Sequence, residues 1–124
     1  KTSVIGESEN ILIRKEDYLT FSIYDLIEYK KILEKLKHES EMALSCGNIK
    51  RKEFFDEYIK ELSSGKLDVI KKSSSNKVLI PNHVKDMYDI EDRVLMCDGV
   101  DHIKVFKNDE KKKEYEKRLI NNLK

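Results

Sequence analysis

Residues 66–81 read KLDVIKKSSSNKVLIP, and the fold turns on how this stretch is read. Leu67 and Val69 alternate with polar neighbours, the period of a half-buried strand. Ser73, Ser74, Ser75 and Asn76 form a turn signal, and Asn76 tolerates positive φ better than most residues. Val78-Leu79-Ile80 reads as a second strand, which Pro81 stops because it has no N–H to donate to a ladder. The expectation is a local β-hairpin with a basic tip. Residues 66–77 carry four Lys against one Asp, a net of +3.

Downstream, Asn82 is expected to cap a short helix with an apolar patch at Val84, Met87 and Tyr88. Arg93–Cys97 and Ile103–Lys107 then flank Asp98-Gly99-Val100-Asp101 as another hairpin. Asn108 is placed to cap a last helix, in which Tyr115, Leu119 and Leu123 recur every four residues beside Ile120.

Upstream, residues 10–15 and 18–21 are apolar-rich runs separated by Glu16-Asp17, again a hairpin. Ser22, three residues before Asp25, has the spacing of a capping box. Leu26, Tyr29, Leu33 and Leu36 then mark the core face of a helix over 23–37. Cys46-Gly47 interrupts the pattern, and Asn48 starts a second helix with a core face of Phe55, Tyr58, Ile59 and Leu62. Gly65 ends it by taking the left-handed conformation.

Residues 11–36 and 94–119 have the same order, a hairpin followed by a capped helix. Ile11-Leu12-Ile13 matches Val94-Leu95-Met96, and Leu19 and Phe21 match Ile103 and Val105. Only nine residues precede Asn10, so the chain is expected to begin part-way through its first repeat. The chain is expected to divide into a partial first unit (1–47), a linking helix (48–65) and a second unit with the basic hairpin (66–124).

The chain has 124 residues, 40% of them charged, with a net charge of +1. That length suits one domain, and near-cancelling charges argue against disorder driven by net charge. The neutral total hides blocks. Residues 78–103 carry a net of −4 and residues 104–124 a net of +4. Screening confines each field to about 8–10 Å, so a basic loop can meet phosphate even in a neutral protein. No run of 18 apolar residues exists, and no membrane is expected as a partner.

Cys46 and Cys97 are far apart, and His38, His83 and His102 are scattered. The cysteines read as reduced thiols of a cytosolic protein, and no metal, cofactor or small-molecule substrate is expected. Cys46 with a distant histidine offers no flanking nucleophile motif, and no catalytic residue is expected.

Lys77-Val78-Leu79-Ile80-Pro81-Asn82-His83-Val84, then Arg93-Val94-Leu95-Met96, then Gly99-Val100-Asp101-His102-Ile103-Lys104-Val105-Phe106, resembles the second half of an MraZ protein. Glu114-Tyr115-Glu116 sits where that family often has an aromatic-rich helix, and Asn10–Leu36 and residues 48–65 resemble its first half and joining helix. The resemblance covers about residues 10–120. It implies an α+β fold of two unequal hairpin-plus-helix units of the AbrB-like swapped-hairpin type. It also implies a DNA-binding transcriptional regulator that forms homo-oligomers and is cytoplasmic and nucleoid-associated, acting on division and cell-wall genes.

The family's Asp-x-x-x-Arg signature is altered: Ser73 stands for the Asp, Asn76 for the Gly and Lys77 for the Arg. Lys77 lacks the bidentate fork that reads guanine, so phosphate contact should survive better than base reading. The expected interface with duplex DNA is Lys71, Lys72 and Lys77 on phosphates, with Ser73, Ser74, Ser75 and Asn76 donating hydrogen bonds at the tip. The alternative is a non-catalytic assembly module that has lost DNA reading and pairs through open strand edges.

Overall fold

The structure is a computed structural model that describes residues 9–72 and 78–122. It is mixed α+β, with one five-stranded antiparallel sheet and four helices. In chain order these are β1 (Asn10–Lys15), β2 (Thr20–Asp25), α1 (Leu26–Ser45), α2 (Ile49–Ser63), β3 (Lys66–Lys71), α3 (Asn82–Met87), β4 (Leu95–Asp98), β5 (Ile103–Phe106) and α4 (Asp109–Asn122). Across the sheet the order is β3-β1-β2-β5-β4. Among the described residues, no helix is long and apolar enough to cross a membrane.

β1 and β2 form the expected hairpin, but β2 extends to Asp25, and Ser22 lies inside it, buried. Ser22 therefore caps nothing. Asp25 caps α1, its Oδ1 accepting from the Ile27 and Glu28 backbone N–H groups at 2.9 and 3.1 Å. Strand passes into helix without a loop, which moves the helix start to residue 26. The helix also runs on past 37 to Ser45, ending at Gly47 with φ +75°.

Two other helix starts form as the sequence suggests. Asn48 Oδ1 accepts from Arg51 N, and Asn108 Oδ1 accepts from Lys111 N. Asn82 does not cap α3. It is the first helical residue, behind Pro81, whose fixed φ of −60° suits the entry.

The strand expected at Val78–Ile80 is absent. β3 pairs instead with β1, setting Ile11 opposite Ile70 and Leu12 opposite Val69. Val78 and Ile80 turn inward to pack on the core, while Leu79 points to solvent. The stretch is thus the descent from the sheet edge to α3, not a ladder partner.

Alternation along the strands gives the sheet two apolar faces. One carries Ile11, Ile13, Phe21, Ile23, Ile103 and Val105, and is closed by Val84, Tyr88 and Ile90 from α3 and its exit. The other carries Leu12 and Tyr24, covered by Tyr29 of α1 and Leu62 of α2.

α1 and α2 form an antiparallel helical hairpin. Tyr29, Leu33, Leu36, Ser40 and Ala43 repeat at four and three residues along α1, as do Lys52, Phe55, Ile59 and Leu62 along α2. That is a coiled-coil seam. Only its base meets the sheet, where Tyr29 Oη donates to Leu62 O at 2.5 Å. Farther out a polar layer holds it, with Ser40 Oγ and Lys52 Nζ both bonded to Asp56.

β2 and β5 are neighbours, and the matched residues Phe21 and Val105 lie directly opposite each other. β1 and β4 lie outside them. In the outer strands Phe21 pairs with Lys15 and Val105 with Met96, so Met96 corresponds to Lys15, not Ile13. The slip is two residues and leaves each side chain on its face.

Candidate functional site

Of the seven residues expected to contact DNA, Lys71 and Lys72 are described. Ser73, Ser74, Ser75, Asn76 and Lys77 lie outside the described residues. Lys71 ends β3, opposite Asn10 of β1. Lys72 N donates to Glu9 O at 2.9 Å, so the ladder reaches one residue beyond the strand. β3 is an edge strand, and nothing in the sheet lies outside it.

The electrostatics of that edge follow from strand alternation. Lys71 is exposed, and its ammonium enters no ion pair among the described residues. Asp68, the one acid of segment 66–77, pairs register with Ile13 on the face that α3 covers. There its Oδ2 lies 3.5 Å from His83 Nε2. The carboxylate thus points away from the face that holds Lys71. The Lys66 ammonium lies over the Tyr29 ring at 5.7 Å, between the start of the strand and the helical hairpin.

The sequence reading missed a second polar group, at the start of β2. Register sets Arg14 opposite Ser22 and Ser22 opposite Lys104, in one row across three strands. Glu16, from the β1–β2 turn, reaches all three. It accepts from Ser22 Oγ, lies 3.1 Å from Lys104 Nζ and 3.4 Å from Arg14 Nη1. Burial alone would raise the Glu16 carboxyl, but the Ser22 hydroxyl, Lys104 and Arg14 outweigh it and hold its pKa below the ordinary range. Arg14 also donates to Glu61 O at 2.6 Å and Ser64 O at 3.0 Å, satisfying the last carbonyls of α2.

Asp17 beside it locks the turn. Its Oδ1 accepts from the Leu19 and Thr20 backbone N–H groups, and its Oδ2 from Arg118 of α4 at 2.7 Å. Tyr88 Oη donates to Asp17 O at 2.8 Å. Next to this network lies a polar cleft of about 230 Å³, lined by Glu16, Asp17 and Arg118 with Tyr115, Leu119 and Asn122 of α4. Its charges are partnered, which makes the group a lock between sheet and helices. Spacing could not have revealed it, because its members are up to 101 residues apart.

The cysteines and histidines stay apart. Cys46 is exposed at the end of α1, and Cys97 is half-buried in β4. His102 Nδ1 lies 2.6 Å from Asp101 Oδ1, and its ring stacks on Tyr24 with centroids 5.0 Å apart. Its Nε2 is buried with no hydrogen-bond partner, so no described hydroxyl or thiol joins this pair. Among the described residues no three His, Cys, Asp or Glu side chains are grouped to hold a metal ion.

The core faces expected on the helices divide. Tyr29 and Leu62 are buried and Leu33, Leu36, Phe55 and Ile59 partly so, but Tyr58 is exposed. Comparison with protein-family models, with curated proteins and with solved structures finds no match to this chain.

Proposed function

We propose that the protein is a non-catalytic, MraZ-like DNA-binding regulator that contacts duplex DNA with segment 71–77. The observation that carries the reading is the exposed Lys71 at the end of an edge strand, followed by Lys72, with the segment's one acid, Asp68, turned to the face opposite Lys71. The sequence resemblance over residues 10–120 supports it. Val78–Ile80 forms no ladder with β3. Lys77 stands where the family has the guanine-reading Arg, so affinity should exceed sequence selectivity.

Membership of the swapped-hairpin group, a homo-oligomeric state and a cytoplasmic, nucleoid-associated location belong to the same proposal. Binding to duplex DNA across a salt series tests it. The logarithm of affinity should fall linearly with the logarithm of salt, by about 0.9 for each phosphate neutralised. Lys71→Gln with Lys72→Gln should reduce that slope by roughly two contacts. No binding at low salt, or an unchanged slope in the double variant, rejects the interface. Ser73→Asp with Lys77→Arg should raise the ratio of specific to non-specific affinity.

A further inference from the structure

The outer face of α2 carries an ordered pattern that the core leaves exposed, although Arg51 at its edge also lies 4.9 Å from the Phe55 ring centroid and 3.7 Å from Glu39 of α1. Lys50, Arg51, Phe54, Glu57, Tyr58 and Glu61 are all exposed. At 3.6 residues per turn they fall on one stripe, beside the seam that faces α1. Phe54 is 64% exposed and Tyr58 44%, one turn apart with ring centroids at 6.5 Å. The stripe is basic at its N-terminal end, aromatic in the middle and acidic at its C-terminal end.

We infer that this stripe pairs with the same stripe of a second copy, antiparallel, about a two-fold axis between Phe54 and Tyr58. In that register Phe54 meets Tyr58 of the second copy, and Arg51 meets its Glu61. Symmetry makes each contact twice. A parallel arrangement would set like charges together, and the reversed charge order a partner needs is what a second copy supplies. Aromatic residues at the centre of a patch, with Arg beside them, are the composition of interface anchors. The fold permits the approach, because the outer part of the α1–α2 hairpin is held by its own Ser40–Asp56–Lys52 layer and lies off the sheet. A patch one helix wide belongs to the small, transient class of interfaces. The pairing does not depend on contact with DNA.

Analytical ultracentrifugation of the full chain over a concentration series tests this, with circular dichroism to follow the fold of each variant. The wild type should pass from one to two chain masses as concentration rises. Arg51→Glu sets two acids together and Glu61→Arg two bases, so each should raise the dissociation constant at least tenfold. The double variant restores opposite charges and should return most of that loss. The Arg51–Glu39 pair within the chain, 3.7 Å, is not restored by it, so rescue reports the contact between copies. Phe54→Ser and, independently, Tyr58→Ser should abolish the dimer without loss of helix content. A wild type monomeric at every concentration overturns the inference. So does a dimer that survives both serine variants, or a double variant no tighter than the single ones.

Discussion

β2 and β5 lie side by side, yet the hairpins they belong to are buried to very different depths. β1 and β2 are flanked on both sides, and from Ile11 to Arg14 and Thr20 to Asp25 every residue is buried. β4 ends the sheet, has four residues and alternates between half-buried and exposed. The helices differ in the same sense. α1 follows β2 without a loop and buries Tyr29 against Tyr24, whereas α4 has no buried residue and touches the sheet mainly through Tyr115 on Phe106. Similar local patterns thus give a core in one hairpin and a cover in the other. Position in the sheet, not the strand's own sequence, sets the difference.

The largest test of that contrast is in the cores of the two hairpins. Phe21 is fully buried and packs against Tyr88 with ring centroids 4.9 Å apart. Phe21→Ala should cost about 3–5 kcal/mol in denaturant unfolding. Met96 is opposite Val105 but 49% exposed, and Met96→Ala should cost less than about 1 kcal/mol. Equal losses would mean that β4 carries core weight its burial does not show.

The next contrast concerns two glycines with the same φ of +75°. A Cβ at Gly65 would sit 2.7 Å from Lys15 O, at the junction where Lys15 N donates to Gly65 O. A Cβ at Gly47 meets nothing within 4 Å. Gly47→Ala should cost about 1 kcal/mol from backbone strain alone, and Gly65→Ala more, because β1 must shift. Thermal melts of the pair measure the difference. The helix caps follow at smaller size. Asp25→Ala removes a buried cap with two accepted bonds and should cost about 1–2 kcal/mol, against roughly 0.5 kcal/mol for Asn108→Ala at an exposed cap.

Much of this was legible locally. Asn48, Gly65 and Asn108 act through neighbours within a few residues, so their roles follow from sequence spacing. The face of α1 was legible for the same reason. The partner of β3 was not, because a period of two says that a segment is extended and nothing about what it pairs with. Val78-Leu79-Ile80 has strand composition, but its two flanking apolar side chains find the core before its backbone finds a ladder. The Glu16 group depends on register across three strands, which no local pattern encodes.

That group supplies the smallest expected effect, a change in pH dependence. The folded Glu16 pKa lies below its unfolded value, so the unfolded chain binds the proton more readily. Its contribution is therefore fully present above the ordinary carboxylate range and is lost as pH falls through the folded pKa. Glu16→Gln keeps an acceptor for Ser22 but cannot titrate. Unfolding free energies measured from pH 7 down to pH 3 should fall less steeply in the variant. Tyr24 and Tyr88 give the alkaline counterpart, since burial first and the nearby Glu16 or Asp17 second raise both phenols above their usual range. Their stabilising protons are retained below pH 10 and begin to cost the folded state only above it. Phenolate absorbance should therefore show late-titrating tyrosines that ionise together with unfolding. In Phe21→Ala, where Tyr88 loses its packing partner, at least one should titrate earlier, tying the alkaline limit of stability to the more deeply buried hairpin.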